Sequence, residues 1–223
     1  MTRIDTPDWG DLSALTERIE ESSGLNLKLI ELQVFRSLPR LPFAPKMSAE
    51  DFTKVEKQVK EALKKLGSSM SGLYLSMESS PWSPEMVANL LSDHILFDHS
   101  VHPLEAPLRY QNTFSSILQL SKHHFRHHWP VGRAVFHTKT RDLVAWVNHS
   151  DHLIIRALEK RGNVRQAVSR LESFVSTLQK QLKFAWHKQL GYLSLKPANL
   201  GKVLLQNSRR KTCFCRVRTS NKS

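Results

Sequence analysis

Three β-rich runs crowd together between Arg133 and Leu158, and a helix with one apolar stripe follows them directly. Arg133–His137 and Asp142–Asn148 are parted only by Thr-Lys-Thr-Arg. A parallel crossover needs a dozen residues or more, so these two runs must pair as a hairpin. His152–Leu158 follows just as closely and reads as a third strand. Asn163 then opens a helix with Val164, Ala167, Val168, Leu171, Phe174, Val175, Leu178 and Leu182 on one face. Locally joined strands covered by amphipathic helices predict an α+β fold, a mainly antiparallel sheet flanked by helices.

The flanking sequence fits that plan. Leu29–Phe35 is an extended apolar run, and Pro39, Pro42 and Pro45 after it exclude a regular helix. Ser48 with Glu50 and Asp51 marks a helix start, Val55, Val59, Ala62, Leu63 and Leu66 share a face, and Gly67 is the stop. Ser83-Pro84-Glu85 starts another helix, reaching about Asp93. Leu190–Leu195 reads as a further strand. Residues 1–28 are polar and helix-tolerant and offer no site.

Charge narrows the function classes less than its size suggests. The 223 residues carry a formal charge of +13. Residues 206–223 read as a basic, disordered tail, whose stretch from Arg209 to Lys222 holds six Lys or Arg and no acid, nearly half the net charge. Elsewhere acids and bases interleave, and the aromatic-plus-basic alternation of an RNA platform is absent, so nucleic acid is disfavoured as a partner. No apolar run approaches the ~20 residues of a membrane helix. Met1–Gly10 has no apolar signal core, and Cys213 and Cys215 are too few and too close for a disulfide framework. A cytoplasmic setting, with no membrane partner, is expected.

Four strings carry a resemblance. They are Ser92-Asp-His-Ile-Leu-Phe-Asp98, Trp129-Pro-Val-Gly-Arg-Ala-Val-Phe-His137, Leu143-Val-Ala-Trp-Val-Asn-His-Ser-Asp-His152 and Leu190-Gly-Tyr-Leu-Ser-Leu-Lys-Pro-Ala-Asn-Leu-Gly201. In this order, with a long helix before the last, they resemble the catalytic domain of the phosphagen (ATP:guanidino) kinases, the creatine and arginine kinase family. The resemblance covers about Leu29 to Gly201 and implies a truncated catalytic domain over 29–205. Residues 1–28 are then a divergent leader and about 104–122 an insertion, and the ordered core is expected to end at Gly201.

The resemblance also implies a site, and the site is degenerate. Phosphoryl transfer relies on cations that neutralise phosphate oxygens, for which the planar arginine fork is best suited. Where the family has two arginines of an S-x-R-x-R strand, this chain has Glu31 and Gln33. A third is matched by Ile154, a fourth by about Leu205, and no match is found for the fifth. The family's paired glutamates, which hold the guanidinium, are His149 and Ser150, and its reactive cysteine is Lys196. No catalytic residue is retained. His137 stands where the family contacts the adenine ring, and Arg156 shares a strand face with Ile154, offering a weak substitute cation.

The reading is a phosphagen-kinase-like protein without phosphotransfer activity, acting by binding or regulation. It requires no cofactor; ATP and magnesium matter only if activity is retained. Expected partners are a weakly held adenine nucleotide and a protein docked at an uncovered sheet edge. The alternative is a working ATP:guanidino kinase of the creatine or arginine kinase type, and a basic nucleic-acid-binding protein ranks last. His123, His124, His127 and His128 have i,i+4 spacing that can chelate metal, but no third ligand adjoins them, so no metal site is assigned. Cys213-Phe-Cys215 lacks the second pair of a zinc site.

Overall fold

The computed structural model describes Glu17 and residues 30–79, 82–96, 128–160, 163–201 and 205–208. The leader apart from Glu17, the segment 104–122, His123, His124, His127 and the tail from Arg209 on, with Cys213 and Cys215, lie outside the described residues.

Six strands form one antiparallel sheet: β1 (Ile30–Arg36), β2 (Gly72–Ser76), β3 (Ala134–Thr138), β4 (Leu143–Val147), β5 (Leu153–Glu159) and β8 (Leu205–Ser208). Their order is β2-β3-β4-β5-β1-β8, and a hairpin of β6 (Trp186–His187) and β7 (Gly191–Tyr192) stands apart. The α-helices are α1 (Ala49–Lys64), α2 (Pro84–Ser92) and α3 (Val164–Gln179), with short 3-10 turns at Ala44–Lys46, Ser68–Met70, Met77–Ser79 and Pro197–Asn199. The expected α+β architecture is what forms.

Sequence explains why each piece adopts its state. Ser48 and Asp51 make a reciprocal capping box for α1, each side chain accepting from the other residue's backbone N–H. Ser83 and Asn163 cap α2 and α3 by accepting from Met86 and Gln166. Alternation then divides the sheet. Leu32, Val34, Ala145, Val147 and Ile155 face α1 and α3, where Phe52, Val59, Leu171 and Phe174 complete the main core. Val135, Val144 and Leu158 face the other way, against Leu90, Ile95 and Leu96 around α2.

Buried polar residues pin the connections. Asn148, in the left-handed conformation at φ 57°, donates through Nδ2 to the carbonyls of Phe52 (2.9 Å) and Gly132 (2.7 Å). Gly132 is at φ 64°, and a Cβ there would lie 2.5 Å from the Phe52 backbone, so only glycine allows this approach. The Asn148 amide thus joins the β4–β5 turn, the entry to β3 and α1.

Three expectations need correction. The ordered sheet does not end at Gly201, because β8 pairs antiparallel with β1 (Gln33 with Leu205, Ile30 with Ser208) and crosses the boundary drawn at residue 205. Leu190–Leu195 contributes only the two-residue β7, because Leu190 belongs to the hairpin turn at 188–190 and Gly191, at φ 70°, opens the strand. β2 was missed altogether. Gly72 sits so close to β3 that a Cβ would fall 2.0 Å from the His137 carbonyl oxygen, which suits glycine and weakens the strand signal.

Candidate functional site

The sheet register gathers the sequence-predicted positions into one row. Leu73, His137, Val144, Arg156, Gln33 and Leu205 are successive cross-strand partners on β2, β3, β4, β5, β1 and β8. Glu31 and Ile154 lie two residues from Gln33 and Arg156 along their own strands, on the same face. The positions matched to phosphate contacts therefore converge on three adjacent strands, β8, β1 and β5.

The chemistry inside that row is different from phosphate binding. Arg156 donates from Nη2 and Nε to Glu31 Oε1 at 2.5 and 2.6 Å, and from Nη1 to the His94 carbonyl at 2.7 Å. Its guanidinium lies 3.9 Å from the Trp146 ring centroid. The Glu31 and Arg156 side chains are only 17% and 5% exposed. Gln33 also donates to the same Glu31 oxygen. Arg156 is thus an internal counter-ion, which corrects the reading of it as a substitute phosphate cation. Glu31 is correspondingly a neutralised anion, not one that stands ready to repel ATP.

His137 is buried, 6% exposed, with Nδ1 2.9 Å from the Thr138 carbonyl oxygen. An imidazole that stacks on adenine needs an open ring face, so the adenine contact is not supported by this placement. It is two strands from Arg156, about 10 Å at the usual strand spacing.

The remaining positions meet at the end of β4 and β5. The His149 ring packs 5.1 Å from Trp146, and Ser150 Oγ donates to Asp151 at 3.2 Å. Asp151 accepts from the Leu195 backbone N–H at 2.9 Å, which draws the segment bearing Lys196 alongside this turn. Burial raises the Asp151 carboxyl above the usual carboxylate range. An imidazole and a hydroxyl here cannot grip a guanidinium as paired carboxylates would.

Sequence reasoning missed the polar contacts that hold the C-terminal end of α2 on this face. Asp93 pairs with Arg141 and with Lys160 (3.3 Å), and Trp146 Nε1 donates to the Ile95 carbonyl at 2.6 Å. Ser92-Asp93-His94 was legible as a string, but its partners are too far along the chain to be read from spacing. Of the four clustered histidines only His128 is described, and its ring lies edge-on to Phe52 at 6.2 Å.

His152 is structural and titrates accordingly. Its Nδ1 accepts from the Leu38 backbone N–H and Nε2 donates to the Pro42 carbonyl, both at 2.9 Å. Burial depresses its pKa. The unfolded chain then binds the proton more readily, so His152 lowers stability as pH falls below about 6.5, its ordinary value. Above that pH its contribution is constant. Thermal melts should fall between pH 7.5 and 5.5 more steeply in the native chain than in His152→Gln; equal slopes would contradict this assignment.

Residues 54–207 match the family model of the ATP:guanido phosphotransferase C-terminal catalytic domain. Arginine kinase Oct f 2 from Amphioctopus fangsiao is 30% identical over 198 residues, 89% of this chain and 52% of that protein. Arginine kinase from Limulus polyphemus is 26% identical over 197 residues, 88% of this chain and 50% of its own length. The chain therefore spans about half the length of these relatives. The substrate-free duplicated taurocyamine kinase from Schistosoma mansoni superposes with a TM-score of 0.71 at 25% identity, over 90% of this chain and 26% of that one. Lombricine kinase shares the fold, with a TM-score of 0.67 at 24% identity over 82% of this chain and 47% of that one. Among the described residues, no helix is long and apolar enough to cross a membrane. With a family model matched over most of its length and the family's strings seated on one sheet, this chain belongs to the phosphagen (ATP:guanidino) kinase family.

Proposed function

We propose that this chain keeps the phosphagen-kinase catalytic fold without phosphoryl transfer and acts through binding. The observation that carries the reading is the Glu31–Arg156 ion pair, lying among the positions matched to phosphate contacts. A guanidinium held by a carboxylate, a carbonyl and a tryptophan face has no free fork for phosphate. Gln33 and Ile154 add no charge, and His149 and Ser150 supply no carboxylate pair. These residues do not fit ATP with magnesium.

The relatives' names favour a second reading, a working arginine kinase. Titration with ATP and with adenosine separates the two. On the proposed reading both bind no tighter than about 1 mM, because neither phosphate cations nor an open imidazole face is on offer. ATP binding a hundredfold tighter than adenosine amounts to about 2.7 kcal/mol of phosphate recognition, and the second reading would then stand.

A further inference from the structure

A groove of about 660 Å³ lies apart from the row of Gln33 and Arg156 and shares no lining residue with it. One wall is the segment 37–43 after β1, and the other runs from the end of α3 through the β6–β7 hairpin. Its surface is apolar, and Phe43 and Trp186 on its walls are 37% and 41% exposed. Exposed aromatics in a concave surface are the usual anchors of a protein interface.

Charge says what kind of partner fits. The first wall belongs to a stretch, Leu32–Ala49, with no Asp or Glu, and the second to another, Ser173–Ser223, equally without acid. Both stretches carry exposed cations: Arg40 and Lys46 on one, Lys180, Lys183 and Lys188 on the other. The groove is thus an apolar trough whose two walls both belong to acid-free, cation-bearing stretches. Behind its aromatic wall sits Arg36, 1% exposed, with its guanidinium 3.7 Å from the centroid of the Tyr192 ring and 5.9 Å from that of Phe184. It donates one hydrogen bond, to the Phe35 carbonyl, and has no carboxylate partner among the described residues. A guanidinium has five N–H donors, so this is a buried cation short of acceptors. Burial lowers its pKa to about 10, still protonated at neutral pH.

We infer that this groove docks an acidic peptide segment of a protein partner, apolar side chains entering between Phe43 and Trp186 and carboxylates lying against Arg40, Lys183 and Lys188. Carboxylates across the rim complement its charge and lower the potential at Arg36; like-charged or neutral segments gain neither. An aromatic pair alone would bind any apolar sequence. The basic rim makes the groove selective.

The test uses the full chain and a fluorescein-labelled peptide of alternating Glu and Leu, with its Gln-for-Glu counterpart. The Glu peptide should bind saturably, at least about tenfold tighter than the Gln peptide, and weaken with added salt. Trp186→Ala and the pair Lys183→Glu with Lys188→Glu, all at exposed positions, should each lower its affinity about tenfold without changing the melting temperature. Equal affinity for the two peptides, or binding untouched by these variants, would overturn the inference. So would a dimer that Trp186→Ala dissolves, which makes the occupant a second copy. Variant-sensitive capture by phosphatidylserine vesicles in preference to the peptide would also overturn it, assigning the groove to a membrane surface.

Discussion

Glu31→Gln should cost the fold about 3 kcal/mol or more, among the largest effects any single polar substitution has on this chain. The substitution keeps the side-chain shape and leaves Arg156 charged, mostly buried and without its carboxylate. The Trp146 face and the His94 carbonyl remain, and neither neutralises a guanidinium. Arg156→Met should cost a similar amount, by stranding Glu31. The double variant Glu31→Leu with Arg156→Met should cost far less than the sum, because two apolar groups replace a pair whose desolvation offsets most of its attraction. Denaturant melts of the four proteins measure the coupling. Two small, additive effects, each below about 1 kcal/mol, would show the pair to be solvent-screened and its role in the site incidental.

The second large effect is on catalysis. A charge-assisted hydrogen bond contributes about 1.5–3 kcal/mol, and the positions matched to the family's arginines are Glu31, Gln33, Ile154 and Leu205. Four such contacts absent amount to at least about 6 kcal/mol of transition-state stabilisation, a factor of more than ~10⁴ in rate. Against the roughly 1–100 s⁻¹ of working kinases, turnover with ATP and arginine, creatine or taurocyamine should therefore stay below about 10⁻² s⁻¹. A coupled ADP-release assay reads this directly. Turnover above that level, lost in His149→Ala or Arg156→Met but retained in Trp186→Ala, would mean that this sheet face performs the chemistry with a different set of residues.

What the sequence disclosed follows from how local each signal is. The β3–β4 hairpin and α3 were legible because their patterns are complete within a few turns of chain, and the strand ends fell within a residue of expectation. β2 and β8 were not, being short edge strands whose pairing with β3 and β1 is set by distant residues. The same distinction runs through the site. That Ile154 and Arg156 share a face could be read from alternation alone. That Arg156 meets Glu31, 125 residues away in sequence, could not, and it reverses the meaning of both side chains. His137 was placed by a string match, which carries no information on burial.

The pairing of β1 with both β5 and β8 also constrains the order of assembly. Gln33 must find Arg156 on one side and Leu205 on the other, so the first of the described strands is fixed by partners made more than a hundred residues later. The β3–β4–β5 meander and α3 can form from contacts close in sequence, whereas β1 closes loops spanning most of the protein. Long closures are entropically costly and slow, and β1 cannot serve as a nucleus. On a ribosome the meander emerges with one flank of β5 bare, presenting Arg156 before Glu31 has docked. The ion pair that fills the site is thus also a late, long-range step in folding, made only when β1 closes onto β5.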